Sequence, residues 1–480
     1  MWRWVLSILL CVSASAFAVD LKPLSVKGTE IVDADGQVML MRGINFGCWL
    51  ITEPWMNGLS EGWEASLKRL AGESGLGEAY EKALKRTGKF DDDVMHFDKY
   101  LGRLLGNVSL FSSKQRAEVF WSKVEQEAPV VDERTLDGVF RKRFGDAGAA
   151  EIWKAYHETW FREDDFKKAA ELGFNFVRVP FWYHWFEDDA APYTYQEYGF
   201  QWLDKAVAWA KNNGLYVALD QHGAPGGQSP WDHTGEISRG ELFKNPEYQR
   251  RTCALWKAIA DRYKDEAAVF MYGCLNEPFS ARNVANWTEV HDGIYRAIRS
   301  VDARHIVMME DGYKLEAKPY GVKGFFPLPS EKGWSNVVYS FHFYEQGSLA
   351  AHGTRLNEVL RIATMERKRC GVPLYIGEFN SIADTPDSLL ALGMYMAAFN
   401  ERGIHWSPWA MKITAAPEKT LWGIYQFNGE WKPADVYHDS KEAILAKIAL
   451  LSTDHFVLHE ALAEAYRSAL KGPVAAVVKE

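Results

Sequence analysis

The sequence predicts a (β/α)8 barrel carrying a helical insertion in its first βα loop, and three observations predict it. Between residues 39 and 412, eight short apolar runs alternate with helical stretches. Most runs are unbroken in apolar character, as strands buried on both faces are. Polar side chains gather where runs end: Arg178, His222, Asn276 with Glu277, Asp311, His342 with Tyr344, and Glu378. Eight parallel strands close into a barrel whose C-terminal face collects such residues, although a doubly wound open sheet fits the alternation alone. Convergence of so many polar ends on one edge favours the barrel.

In chain order, residues 1–18 read as an export signal. Arg3 supplies the positive end, residues 5–12 a short apolar segment, and Ala16-Phe17-Ala18 a small-x-small cleavage site. The apolar segment is short for a bilayer span. A mature chain then begins near Val19, with one domain over 19–455 and a helical tail over 456–480. Secretion to the periplasm or outside follows, with no stable membrane partner after cleavage. A retained anchor, or a lipid on Cys11, is the alternative; Leu9 and Leu10 before it are large rather than small. Cys48, Cys253, Cys274 and Cys370 match no metal motif and read equally as disulfide partners or core residues.

The strands are expected at 39–47, 174–180, 215–222, 269–277, 305–311, 336–344, 373–379 and 404–412. A helix at 162–173 opens on acidic residues and stops at Gly173. Others at 198–214 and 245–265 repeat apolar residues at three- and four-residue steps. Residues 60–160 break the rhythm with several helical patterns, 112–126 among them. They read as an insertion able to wall the site, or as a separate small domain. Helices are expected again at 440–452 and 456–471.

A net charge of −9 argues against nucleic acid as a partner, since phosphate binding needs a basic face. Aromatics are abundant, with 20 Trp, 21 Tyr and 26 Phe. They suit a large core, or a groove of platforms that stack on the C–H faces of sugars.

Two glutamates end strand candidates, Glu277 in LNEP and Glu378 in IGEF. A carboxylate leaving an apolar strand is costly to bury unless it is paired, so each needs a reason. Cleavage of a glycosidic bond supplies one: an acid protonates the leaving oxygen while a second carboxylate attacks the anomeric carbon. The fourth and seventh strand ends face each other across a barrel mouth. Pro278, with no N–H to give, helps end the fourth strand.

LNEP and IGEF, with FVRVPFWYHWF (176–186), DQHGAPGGQ (220–228), SFHFYE (340–345) and WSPWAMK (406–412), resemble glycoside hydrolase family 5 over residues 39–435 apart from the insertion. RGINFGCWLITEPW (42–55), HGAPGGQSPWDHTG (222–235) and VDERTL (131–136) are similar to its exo-β-1,3-glucanase branch. The resemblance implies a retaining β-glycosidase with Glu277 as general acid/base and Glu378 as nucleophile. The acid's pKa is expected to be raised by burial and the nucleophile to stay ionised. Arg178 is then placed to keep Glu378 ionised, with Tyr344 donating to the same carboxylate. Asn276 serves the sugar 2-hydroxyl, and His222 and His342 contact hydroxyls or tune the acid. Trp409 floors the cleavage subsite, and Glu53 binds terminal hydroxyls or caps a helix. Two carboxylates suffice, so no metal or cofactor is expected. The expected substrate is β-glucan, β-1,3-linked and attacked from a chain end. Alternatives are an endo-β-1,4-glucanase, a hydrolase of another β-glycoside such as mannan, and a catalytically silent carbohydrate-binding barrel.

Overall fold

The computed structural model describes residues 21–88, 97–237, 239–312, 326–381, 385–415 and 420–472. The expected export signal lies outside them. Eight strands form one parallel sheet in sequence order: β1 (Gly43–Asn45), β2 (Phe176–Trp182), β3 (Tyr216–Gly223), β4 (Val269–Gly273), β5 (Ile306–Glu310), β6 (Val337–Glu345), β7 (Leu374–Ser381) and β8 (His405–Trp406). Trp406 bridges Arg42 in parallel, and its amide donates to the Met41 carbonyl at 3.0 Å, which brings the last strand back to the first. Every residue of β2, β3, β4, β5 and β7 is buried, as their continuous apolar character requires. The N-terminal end of the barrel is filled by Met41, Phe176, Tyr216, Phe270, Met308 and Tyr375. Ile31, from an antiparallel hairpin of Ser25–Lys27 and Glu30–Val32, and Leu24 just before it join that cluster. The opposite, C-terminal end is left to polar groups.

The stretch between β1 and β2 divides in two. Helices α1 (Trp63–Glu73), α2 (Gly77–Thr87), α3 (Phe97–Leu110) and α4 (Lys114–Gln126) surround a core of their own that includes Leu67, Leu70, Tyr80, Leu104 and Phe120. Helix α5 (Glu133–Trp160), broken at Gly145 where φ is 69°, instead packs on the barrel through Phe140, Ile152, Trp153, Tyr156 and Trp160. The three- and four-residue steps from Ile152 to Trp160 put these rings on one face. Barrel helices follow as α6 (Glu163–Leu172), α7 (Glu197–Asn212), α8 (Pro246–Tyr263), α9 (Val284–Arg299), α10 (Leu349–Cys370) and α11 (Pro386–Glu401). Helix α6 opens on Glu163, Asp164 and Asp165 and stops at Gly173 in the left-handed region.

Two expected elements differ. The run at 404–412 is not one strand: β8 ends at Trp406, and Lys412–Ile413 pairs with Tyr425–Phe427 in a separate three-stranded sheet. Pro408 interrupts the run, because a residue without an N–H cannot extend a ladder. The third strand of that sheet, Phe456–Leu458, occupies the start of the expected helix at 456–471, which begins only at Glu460. After α12 (Lys441–Ala449), this last helix, α13 (Glu460–Lys471), buries Leu462, Ala463 and Tyr466 in the main core. The tail is therefore part of the domain's packing. Cys48, Cys253, Cys274 and Cys370 are all free, two of them buried. No helix among the described residues is long and apolar enough to cross a membrane.

Lys412 ties this second sheet to the end of α5 and to the segment that follows α12. Its buried ammonium donates to the carbonyls of Trp160 and, at 3.0 Å, Leu451, and to Thr453 Oγ1 at 2.9 Å. It also faces the rings of Trp160, Phe161 and Phe456 at 4.5, 4.8 and 5.0 Å. Burial pulls its pKa down to about 7. Lys412→Met should leave buried acceptors unpartnered, at about 1–3 kcal/mol each. A denaturant midpoint within error of the parent would exclude this role.

Candidate active site

The apolar run of β4 ends at Gly273, and the next four residues turn over the barrel mouth. A Cβ on Gly273 would sit 2.3 Å from Asp220 Oδ1, so glycine is what lets β3 and β4 share a polar interior layer. The Cys274 amide donates to Met308 O and the Asn276 amide to Gln221 O, both at 3.0 Å. Glu277 follows with φ at 42°, a conformation rare outside glycine and held by its surroundings. Its amide donates to Glu310 Oε1 at 2.8 Å, and Gln228 Nε2 donates to the Asn276 carbonyl at 2.9 Å. Backbone strain and two side chains thus fix the direction in which Glu277 leaves its strand.

Arg178 organises the opposite side. Without exposed surface, its guanidinium donates to Glu378 Oε1 at 2.7 Å, Asn45 Oδ1 at 2.9 Å and Asn276 Oδ1 at 2.7 Å. It lies 3.0 Å from Asp220 and 3.8 Å from Glu310. Tyr344 donates to the other oxygen of Glu378 at 2.8 Å. Glu378 on β7 is thereby oriented through both oxygens. With the amide oxygen of Asn276 taken by Arg178, its Nδ2 is the end that the guanidinium does not engage.

The two glutamates meet. Oxygens of Glu277 and Glu378 and a ring nitrogen of His342 all lie within 4.8 Å of one another. His342 Nδ1 is 2.7 Å from Glu277 Oε1 and 3.3 Å from Glu378 Oε2, and its Nε2 is 3.1 Å from Glu310. His233 approaches the other oxygen of Glu277 at 3.5 Å. These three side chains also form a possible donor set for a cation. Arg178 and Tyr344 already occupy the oxygens of Glu378, however, and a guanidinium at 2.7 Å opposes a second positive charge there.

Histidines decide the charges. Burial would raise Glu277, but the hydrogen bond from His342 and the electrostatic pull of His233 and His342 hold it at about 2, even though burial lowers His233 itself. Burial raises Glu378 above the ordinary carboxylate value, against the pull of His342 and Arg178. Burial would lower His342, yet Glu310, Glu378 and Glu277 keep it well above 6.5. This reverses the expected direction for Glu277. The Glu277–His342 pair holds its proton on the imidazole, and the two groups titrate as one unit. His222 is different: burial and Arg178 push it well below 6.5. Its Nδ1 lies 2.7 Å from Asp220, its Nε2 3.5 Å from Glu378, and its ring stacks on Trp409 at 5.5 Å.

Trp409 sits beside the cleft with its Nε1 on Met56 Sδ at 3.0 Å, and a Cβ on Gly47 would meet its ring at 2.7 Å. Glu53 precedes the short helix Pro54–Asn57 and makes no capping bond with its side chain; it accepts from Trp55 Nε1 at 2.8 Å. Burial and then the nearby charges of Asp232, Glu378 and Glu277 raise it well above 4.5. All nine expected side chains therefore belong to one neighbourhood. Sequence reading missed Asn45, Asp220, His233 and Glu310, each buried in this network, and Asp232 beside Glu53. Aromatic rims also emerge, Trp55–Trp422–Tyr344 on one side and Trp231–Phe279 on the other.

Removing the cation should be severe. Arg178→Met leaves Glu378 and Asp220 without their buried partner and should destabilise the fold by about 3–5 kcal/mol. Chemical denaturation measures this, and a loss below about 1 kcal/mol would exclude Arg178 as the charge that this network is built on.

Residues 145–414 match Cellulase (glycosyl hydrolase family 5). A protein of Phanerodontia chrysosporium named "Beta-xylosidase" is 27% identical over 67% of this chain and 52% of its own length. "Probable glucan 1,3-beta-glucosidase A" of Aspergillus fumigatus is 30% identical over 45% of this chain and 49% of its own length. "Endoglucanase C" of Acetivibrio thermocellus is 30% identical over 40% and 52%. The chain thus spans about half the length of the curated relatives it matches. Among solved structures, an endogalactoceramidase superposes with a TM-score of 0.54 over 93% of this chain and 85% of that one, at 16% identity, a likeness of fold. With a matched span that runs from the middle of α5 into the second sheet and encloses both strand-end glutamates, the chain belongs to glycosyl hydrolase family 5.

Proposed function

We propose that this protein is a retaining β-glycosidase that releases sugar from the chain ends of β-1,3-glucan. One observation carries the retaining mechanism: carboxylate oxygens of Glu277 and Glu378 within 4.8 Å. Retaining enzymes hold their carboxyl groups ~5–5.5 Å apart, whereas inverting ones leave ~6.5–9.5 Å for a water. Glu378, gripped through both oxygens, attacks the anomeric carbon as nucleophile. Glu277 protonates the departing oxygen, drawing on the proton shared with His342, and then deprotonates the water that releases the sugar. Arg178 and Tyr344 set the nucleophile's aim, and Asn276 Nδ2 is the donor for the sugar 2-hydroxyl. Trp409, stacked on His222, offers its ring as the subsite floor.

Chain-end attack is supported by Glu53 and Asp232. Asp232 stands close enough to raise the cost of ionising Glu53, as do both glutamates. Neighbouring carboxyls beside the glutamates suit the several hydroxyls of a terminal sugar, which an internal unit does not present. The relative named as a glucan 1,3-beta-glucosidase points to the same linkage.

Three measurements follow. Laminarin should give free glucose as the first product, with β-1,4-glucan and mannan cleaved slowly; shortened polymers without glucose would favour endo action. Glu378→Ala should lose about 10⁴-fold or more in kcat, with azide restoring turnover as an α-glycosyl azide. Activity retained without azide would move the nucleophile elsewhere. The kcat/KM profile should be a bell: its acid limb reports protonation of Glu378, and its basic limb loss of the shared His342–Glu277 proton. His342→Gln removes a cation that lowers Glu378, so the acid limb moves up in pH. It also removes the imidazole that stores the proton, so the basic limb moves down. An unchanged bell would exclude His342 from the proton path.

A further inference from the structure

Three consecutive residues at the start of α5 each hold a different piece of the cleft's rim, and they precede the span matched to the family. Asp132 uses Oδ1 to cap the helix, accepting from the Thr135 amide at 2.7 Å, and Oδ2 to accept from the Ile237 amide at 2.7 Å. Glu133, with no exposed surface, accepts from the amide of Thr52, the residue before Glu53. Arg134 donates its amide to Gly235 O at 3.0 Å, and its guanidinium lies 4.9 Å over the Trp182 ring. It also pairs with Asp189 at 3.0 Å and Glu236 at 3.3 Å. A Cβ on Gly235 would come 2.6 Å from the Trp182 indole, so the loop has no slack on that side. The loop gripped at Gly235, Glu236 and Ile237 is the one that presents Trp231, Asp232 and His233.

We propose that the Asp132–Glu133–Arg134 turn is a positioning unit for the reaction: it fixes the 231–237 loop so that His233 stays against Glu277, and it fixes the 47–53 loop that carries Glu53. This rests on Glu277 being the acid. His233 stands 3.5 Å from that carboxylate, a range at which small displacements change the interaction. None of the three residues touches the reacting groups; they act through the loops they hold.

The test uses matched aryl β-glycosides, one with a poor and one with an activated leaving group. Asp132→Asn keeps a good N-cap oxygen but turns an acceptor for Ile237 into a donor, so the helix stays capped while the loop is released. Its kcat/KM should fall about ten-fold or more on the poor leaving group and less than about three-fold on the activated one. His233→Ala should show the same selectivity, and the double variant should be no worse than His233→Ala alone. Arg134→Gln, which keeps the amide bond to Gly235 but drops the ties to Asp189 and Glu236, should repeat the pattern if Asp132→Asn folds poorly. Equal losses on both substrates, or losses that add fully to those of His233→Ala, would overturn the proposal. If His233→Ala shows no leaving-group preference while Glu277→Ala does, the positioning proposal falls and the acid assignment stands; if Glu277→Ala shows none, the acid assignment falls. If His233→Ala is selective and the Asp132 and Arg134 variants are not, the positioning role alone is wrong.

Discussion

A guanidinium with no exposed surface has to be neutralised where it lies, and Arg178 lies inside the barrel. The groups that answer it come from around the ring: Asn45 on β1, Asp220 on β3, Asn276 just past β4, Glu310 on β5 and Glu378 on β7. Leaving such a charge unpaired would be far more costly than any single apolar contact is favourable. The apolar layers specify that the strands form a barrel. The polar layer above them specifies how the strand ends are aimed, because a slip of one residue would turn Asp220 or Glu378 away from the cation. Asn45 extends the same net to the residues just past the eighth strand, donating to Ser407 O at 3.2 Å and Pro408 O at 3.0 Å. The groove's polarity is thus a consequence of how this barrel holds one buried positive charge.

The two glutamates differ because their neighbours differ. Glu378 shares His342 with Glu277 but also faces Arg178, whose charge does not titrate near neutral pH, and a tyrosine hydroxyl. Glu277 faces two imidazoles, whose charge does titrate. A fixed cation suits a group that must stay ionised and aimed. A titrating one suits a group that must give up a proton and then take one back, since the proton is stored one 2.7 Å hydrogen bond away. Burial alone would have treated both carboxylates alike, and it is the expectation from burial alone that misjudged Glu277.

How much of this was legible in the sequence follows from the same distinction. Periodicity gave the strands and helices of the ring, because unbroken apolar runs between capped amphipathic ones have few other solutions. It failed at 404–412, where Pro408 turns the chain between two sheets, and at 456, where three residues pair before α13 begins. The strand-end residues stood out as polar groups at the close of apolar runs. Glu310 did not, since it sits next to Asp311 and only the register with β6 decides which of the two faces the interior. Asp220 was hidden by its position inside a strand rather than at its end. His233 and Asp232 lie on a loop whose path depends on contacts with residues about a hundred positions earlier, and no local pattern encodes that.

Barrel and rim are consequently different kinds of structure. The family match holds both glutamates, Arg178, Tyr344 and the histidines, but neither Glu53 nor the turn at Asp132. The rim loops are held largely through backbone groups, the amides of Thr52 and Ile237 and the carbonyl of Gly235. Backbone tethers fix where a loop runs without dictating which side chains it carries. Glu53, Trp231 and Asp232 ride on these loops, outside the groups that Arg178 engages directly. On this division the groups committed to one another lie in the barrel, where change is costly, and the rim side chains lie on loops held through their backbone.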